Sequence, residues 1–121
     1  SQIDWMSSFA QLLNVTLPAG AGPDSEKQLD AWLGKDKAGR EYVIEQNVNN
    51  NLSIRTRDWK YIAPGKGAAR YTAANIELGN SQEPQLYRLS DDEEEKVNRA
   101  SEYPQVLLNL QLRLEQVKLK Q

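Results

Sequence analysis

The sequence predicts an α+β fold, in which a small four-stranded antiparallel sheet packs against a long C-terminal helix and follows two N-terminal helices. Three observations lead to this prediction. Apolar residues recur at helical spacing near both ends of the chain. Between them, runs rich in Val, Ile, Leu and Tyr alternate with a period of two. Short polar turns join most of these runs, which is typical of an antiparallel meander.

Two helices are predicted in the N-terminal part of the chain. The first covers residues 4–13, and Asp4 is placed to cap its first turn. A linker rich in Gly, Ala and Pro then ends this helix. The second helix is short and covers residues 25–33, with Ser25 as its N-cap and Gly34 just beyond its C-terminus.

The middle of the chain is predicted to form the sheet. The four predicted strands are 41–46, 52–56, 59–63 and 85–89. The Gly-, Ala- and Asn-rich stretch 64–84 predicts a long surface excursion before the last strand. An acidic turn at 91–95 follows the last strand. We interpret it as a capping box built from Asp92 and Glu95, in preference to a cation site.

The last predicted helix is apolar on two sides. Ser101 is placed to cap it, and Pro104 falls in its first turn, where a missing N–H costs little. One broad apolar face suits packing on the sheet: Tyr103, Val106, Leu107, Leu110, Leu114 and Val117. The opposite side carries a leucine stripe formed by Leu108, Leu112 and Leu119. This stripe predicts a second packing surface, either between domains or for self-association.

The composition excludes several kinds of chemistry. The 121 residues include no Cys and no His, which removes disulfides, thiolate nucleophiles, Cys/His metal sites and imidazole acid–base catalysis. A net charge of −2 argues against nucleic acid or an anionic membrane as a partner. No apolar run reaches the roughly 20 residues that span a bilayer. The chain starts at Ser1 without an initiator Met, so we expect it to be a piece of a longer polypeptide.

A basic, aromatic-rich hairpin is the candidate binding region. Its candidate substrate-binding residues are Arg55, Arg57, Trp59, Lys60 and Arg70. Guanidinium groups beside aromatic rings suit an anionic sugar or a sulfate group. The alternative is a solvated hairpin, in which the Arg and Lys stems cover apolar neighbours. Single-stranded nucleic acid would be bound by similar residues, but the net negative charge disfavours it.

The chain resembles the C-terminal region of sulfatases, bacterial arylsulfatases in particular. The segments that carry the resemblance are 2–9, 17–25, 40–46, 52–62, 77–80, 84–89 and 92–100, followed by the Leu-rich helix. The family pattern has Asp-Pro-Gly-Glu before that helix. Here Glu93 and Glu94 replace Pro and Gly, while Asp92, Glu95 and Asn98 match the pattern.

The resemblance implies a parent protein that hydrolyses sulfate esters. Such a parent uses a formylglycine, made from Cys or Ser in a Cys/Ser-x-Pro-Ser-Arg motif, and a calcium ion held by Asp and Asn. The motif is absent here, so no catalytic or metal-binding residue is carried over and no cofactor is expected in this chain. The resemblance also implies that 1–34 is the edge of the catalytic domain plus a linker, and that 35–121 is the C-terminal subdomain. We expect the parent to be periplasmic or secreted.

The predicted function is therefore that of a non-catalytic part of a sulfatase. Its partner is the catalytic domain of the same polypeptide, which would cover the leucine stripe, while the basic hairpin would face a sulfated carbohydrate. Two alternatives to this function stay open. One is a self-sufficient module that binds anionic glycans, and the other is an interaction domain that self-associates through the leucine stripe.

Overall fold

The structure is a computed structural model that describes residues 1–119, and the chain divides into two compact units. One unit spans Ser1–Glu41 and the other begins at Tyr42. Helices lead and end the chain, and an antiparallel sheet lies between them in sequence, so the predicted α+β class is confirmed. The predicted division at residue 34 concerns the domains of a longer polypeptide and stays a prediction.

The first unit contains two helices, as predicted. Its elements are a 3-10 turn at Gln2–Asp4, helix α1 at Trp5–Leu12 and helix α2 at Leu29–Trp32. The second helix is shorter than expected because Ser25 does not cap it. The Ser25 hydroxyl oxygen instead accepts a hydrogen bond from the backbone N–H of Ser7, at 3.0 Å. Gly34 has a φ of +73° directly after this helix, which confirms its predicted position at the C-terminus.

The prediction that Asp4 caps α1 is wrong. Its side chain makes no capping hydrogen bond and is fully buried. The carboxylate accepts a hydrogen bond from the backbone N–H of Glu26 at 3.0 Å, and it forms a short ion pair with Arg40. A buried carboxylate needs charged or N–H partners to offset its desolvation, and these two groups supply them at Oδ1. Asp4 therefore holds the first unit together instead of capping its helix.

The second unit is built on the four predicted strands, all of which are confirmed. These four strands are β1 Val43–Gln46, β2 Leu52–Arg55, β3 Trp59–Ile62 and β6 Gln85–Arg88. Two further short strands, β4 Arg70–Tyr71 and β5 Ile76–Glu77, form a separate ribbon. The main sheet has the order β1-β2-β3-β6 and is antiparallel throughout. Its register aligns Ile44, Ile54, Tyr61 and Leu86 in one row, with one residue from each strand.

Helix α3, at Pro104–Lys118, packs on this row. Leu110 and Leu114 are buried against Ile54, Tyr61 and Leu86, so the predicted apolar face of the helix is confirmed. Pro104 is the first helical residue, as expected. The prediction that Ser101 caps the helix is wrong, because the N-cap position is Tyr103 and no side chain makes a capping hydrogen bond. Within the described residues, no helix has the length and apolarity needed to cross a membrane.

The excursion between β3 and β6 is more ordered than the sequence predicts. It contains the two-stranded ribbon of β4 and β5, and a buried amide anchors it. The Asn80 side-chain amide donates hydrogen bonds to the Ala68 carbonyl and to Asn49, both at 2.9 Å. Its carbonyl oxygen accepts from the side chain of Asn47 at 2.8 Å. The excursion is therefore tied to the turn between β1 and β2.

The acidic turn does not form the predicted capping box. Glu95 has a φ of +56°, a left-handed conformation that a helix does not accommodate, and α3 begins only at Pro104. The Asp92 carboxylate accepts hydrogen bonds from the backbone N–H groups of Lys96, at 3.0 Å, and Val97, at 2.9 Å. These bonds lower the pKa of Asp92. Asp92 thus closes a local loop, which is the role in which Asp competes with helix formation.

The two sides of α3 offer a matched test of the core. Leu114→Ala should lower the free energy of unfolding by about 2–5 kcal/mol, because it leaves a cavity between the helix and the sheet. Leu112 lies half a turn away on the exposed side, so Leu112→Ala should change the free energy of unfolding by less than about 0.5 kcal/mol. Urea unfolding followed by circular dichroism measures both. Equal losses for the two variants would contradict the packing described here.

Candidate functional site

The sheet has one covered face and one open face, and the open face forms the candidate site. Alternation along each strand places Ser53, Lys60 and Tyr87 on the side away from α3. Loop residues from the excursion and the acidic turn rise around these side chains. Together they line an open cavity of about 380 Å³. Most residues around this cavity are polar or charged, unlike those of the apolar covered face.

Lys60 is the central cation of the open face, and it is compensated on two sides. Its Nζ lies 2.9 Å from a carboxylate oxygen of Glu95 and 3.5 Å from one of Glu45. The Ser53 hydroxyl donates a longer hydrogen bond, at 3.4 Å, to the same Glu45 oxygen. Two carboxylates next to one ammonium leave no excess positive charge. Lys60 therefore joins strand β3 to β1 and to the acidic turn.

Tyr87 lies beside this ion-pair cluster. Its side chain is buried, and its hydroxyl donates a hydrogen bond to Oε1 of Gln85 at 2.8 Å. Burial raises the pKa of the Tyr87 phenol, and the nearby carboxylates of Glu95, Glu77 and Asp92 raise it further. The neutral phenol is thus held as a hydrogen-bond donor.

Arg55 and Arg57 are the candidate residues whose side chains make no direct contact with a carboxylate within residues 1–119. Both are exposed, and they line a second cavity of about 450 Å³ with Leu89, Glu93 and Glu95. Arg55 is the register partner of Lys60 in the ladder between β2 and β3. Within residues 1–119, neither guanidinium forms a hydrogen bond or an ion pair. The donors of both groups are therefore available to an anion.

The structure separates the other two candidate residues from this pair. Trp59 points to the covered face, where its ring lies 4.9 Å from that of Tyr103, centroid to centroid. Arg70 lies on the ribbon, where it donates a hydrogen bond to Asn75 at 2.7 Å and pairs with Glu77 at 3.5 Å. The five candidate residues therefore form no single cluster. Arg55 neighbours Lys60 in the ladder and shares a cavity with Arg57, whereas Trp59 and Arg70 have separate partners.

Sequence reasoning missed the carboxylates that meet the hairpin. Glu45 could have been found, because it alternates with Ile44 on β1 and so faces away from the core. Glu95 had no comparable signal, since it is 35 residues from Lys60 and lies in a loop. Among the described residues, no group of three or more Asp and Glu side chains is placed to hold a metal ion.

The leucine stripe is exposed in this chain. Leu108 is 47% exposed, Leu112 53% and Leu119 87%, while Leu110 and Leu114 on the other side are buried. The two-sided character read from the sequence is therefore present in the helix. Which surface covers the stripe stays a prediction.

The fold has counterparts among solved structures. No protein-family model matches the chain. A 2-O glycosaminoglycan sulfatase is similar to it with a TM-score of 0.66, over 97% of this chain and 24% of the sulfatase chain. At 17% identity, this likeness concerns the fold alone.

Sequence similarity makes the relationship specific. A solved structure described for the metabolism of multiple glycosaminoglycans by Bacteroides thetaiotaomicron matches with a TM-score of 0.90 and 47% identity, over 98% of this chain and 25% of that one. The chain thus matches a segment of a bacterial sulfatase, a class of hydrolase, and the predicted resemblance is confirmed. The curated relative is an N-acetylgalactosamine-6-O-sulfatase of Bacteroides thetaiotaomicron, 48% identical over 118 residues. The chain spans about a quarter (23%) of that relative's length.

The phenol of Tyr87 gives the site a measurable pH dependence. Its pKa is raised above 10.0 in the folded chain, so the folded state keeps the proton that the unfolded chain loses. This contribution to stability is fully present below pH 10 and is lost as the pH rises through the folded pKa. Tyr87→Phe should therefore make the alkaline fall in the free energy of unfolding shallower.

Urea unfolding at a series of alkaline pH values measures this slope. Tyr71→Phe, at an exposed tyrosine of the ribbon, is the matched control and should leave the slope unchanged. A Tyr87→Phe variant with the wild-type slope would show that the burial of this phenol has no part in the alkaline transition.

Proposed function

We propose that the chain is a non-catalytic part of a bacterial sulfatase, which packs on the catalytic domain and helps to shape the cleft for a sulfated saccharide. One observation carries this proposal. The match covers 98% of this chain but 23% of the curated sulfatase, and the matching segment has neither Cys nor His. The catalytic groups of the parent are accordingly assigned to the remaining three quarters of the polypeptide.

The same reasoning applies to the formylglycine and the calcium ion that the resemblance implies. No Ser of this chain stands in a Ser-x-Pro-Ser-Arg sequence, so no side chain here fits conversion to formylglycine. The described residues also offer no cluster of carboxylates suited to calcium. We therefore propose that both groups belong to the rest of the longer polypeptide, and we assign no catalytic step to the residues of this chain.

The leucine stripe supports the packing role. Leu108 and Leu112 expose about half of their side chains on a helix that already buries its other face. Burying a Leu side chain contributes roughly 1.5–3 kcal/mol, so leaving two of them in water forgoes a large stabilisation. A neighbouring domain of the same polypeptide would recover it. A symmetric helix pair between two copies is the alternative use of the same surface.

The pair formed by Arg55 and Arg57 supports the contact with substrate. Both guanidiniums are exposed beside a cavity and lack protein partners among residues 1–119. Arg is suited to sulfate because its planar fork donates two parallel hydrogen bonds. The matched proteins are described as a sulfatase of N-acetylgalactosamine and as part of glycosaminoglycan metabolism, which makes a sulfated saccharide the natural ligand class. Lys60 contributes less, since Glu45 and Glu95 neutralise it.

The proposal is tested by comparing this chain with the longer polypeptide that contains it. The isolated chain should give no sulfate release from a sulfated saccharide above a blank, because it lacks a group able to attack the ester. The longer polypeptide should hydrolyse the same substrate. Sulfate release by the isolated chain, or an inactive longer polypeptide with proven formylglycine and calcium, would overturn the proposal.

Replacing the two guanidiniums tests the contact with substrate. In the longer polypeptide, Arg55→Ala combined with Arg57→Ala should raise KM for a sulfated saccharide about tenfold, equivalent to roughly 1.4 kcal/mol. The kcat should stay nearly unchanged, because the pair binds ground state and transition state alike. Arg70→Ala is the matched control, since Asn75 and Glu77 already engage that guanidinium. A wild-type KM in the double variant would contradict the contact.

The rival role as a self-sufficient glycan-binding module relies on the same two guanidiniums, so it predicts a different result for the isolated chain. Such a module would bind a sulfated oligosaccharide without any catalytic domain, and Arg55→Ala with Arg57→Ala would abolish that binding. A segment of a sulfatase supplies only part of the cleft and should bind weakly by itself. Isothermal titration of the isolated chain separates the two roles.

A further inference from the structure

Helix α1 in the first unit buries its polar side and exposes its apolar side. Its small and polar side chains are buried, whereas its large apolar side chains face solvent. Ser7, Ser8 and Ala10 lie on the buried side. Trp5 is 52% exposed and Phe9 is 48% exposed on the other side, one helical turn apart. A helix that packs on its own unit normally shows the reverse arrangement.

Specific hydrogen bonds hold the helix in this orientation. The Ser7 hydroxyl donates to the Ser25 carbonyl at 3.0 Å, and the Ser7 backbone N–H donates back to the Ser25 hydroxyl at 3.0 Å. The Ser8 hydroxyl accepts from the backbone N–H of Gln28 at 2.9 Å. These bonds are in addition to those that the buried Asp4 carboxylate makes. Rotating α1 to bury its aromatic rings would break all of these hydrogen bonds. The hydrogen bonds therefore keep the rings exposed.

The exposed rings form a continuous surface across both helices of the unit. Trp5 and Phe9 meet edge to face at 6.2 Å, and Phe9 meets Trp32 of α2 in the same way at 5.9 Å. Trp32 is itself 42% exposed. We name Trp5, Phe9 and Trp32 the aromatic face. Aromatic side chains clustered on one surface are typical of the centre of a protein–protein contact.

We infer that the aromatic face is a docking surface, distinct from the leucine stripe, for the remaining part of the sulfatase polypeptide. This inference rests on the proposed function. The occupant is identified by chain length. The alignment with the curated relative covers almost the whole of this chain, but about three quarters of the relative lies outside it. A surface of that missing part, apolar where it meets the rings, would bury them. The polar bonds of α1 then orient the rings toward it.

Met6 provides a direct probe of this surface. It is the only methionine among the 121 residues, and it is half exposed on α1 beside Trp5. Hydrogen peroxide oxidises exposed methionine faster than buried methionine, and peptide mass spectrometry reads the rate at a single residue. In the longer polypeptide, the oxidation rate of Met6 should be lower than in the isolated chain by a factor of about five or more. A free methionine derivative in each reaction corrects for the amount of oxidant.

A substitution provides the second readout. Phe9→Ser should lower the melting temperature of the isolated chain only slightly, because the ring is half exposed there and loses only its contacts with Trp5 and Trp32. The same change should lower the melting temperature of the longer polypeptide by several degrees. Lys35→Ser, at an exposed residue of the same unit outside the aromatic face, should change neither value.

The outcomes separate the inference from the proposed function. An active sulfatase in which Met6 is oxidised as fast as in the isolated chain would overturn the inference alone. Protection of Met6 that appears in the isolated chain with rising concentration, together with a dimer by light scattering, would assign the face to a second copy and also overturn it. A longer polypeptide without sulfatase activity would remove the proposed function, and with it the occupant named here.

Discussion

The packing of α3 on one face of the sheet is the constraint on which the second unit depends. The register aligns one apolar residue from each strand, and the buried leucines of the helix lie on that row. This contact is the hydrophobic core of the unit. Because a single helix covers only one face, every other side chain of the strands must be compatible with a polar surface. The candidate site exists on that second face for this reason.

Compensation of charge decides what the open face can bind. A count of basic residues along the hairpin suggests a strongly positive surface, but the fold brings Glu45 and Glu95 to Lys60. Arg55 and Arg57 have no hydrogen-bond or ion-pair partner among residues 1–119, although Glu93 and Glu95 line the same cavity. A cluster of like charges in sequence is therefore a poor measure of the local electrostatic potential. The potential depends on which carboxylates the loops bring close.

The two exposed apolar surfaces follow from one physical situation. The aromatic face and the leucine stripe both lie on helices whose opposite sides are already satisfied, by hydrogen bonds in α1 and by the sheet in α3. Neither helix can turn to hide its exposed side without losing those interactions. The chain matches about a quarter of its curated relative, and exposed apolar surfaces of this kind are typical of interaction sites.

Local periodicity in the sequence by itself determined the α+β class, the four main strands and the buried face of α3, because alternation and helical spacing depend on neighbours a few residues apart. The resemblance to sulfatases was likewise readable in sequence, since it is spread over nearly the whole chain. Only the tertiary structure decided the pairing of groups far apart: Asp4 with Arg40, Lys60 with Glu95 and Asn80 with Asn49. These partners are more than 30 residues apart in sequence. No short-range pattern encodes such pairs, because they form only when the chain closes on itself and buried polar groups must find partners.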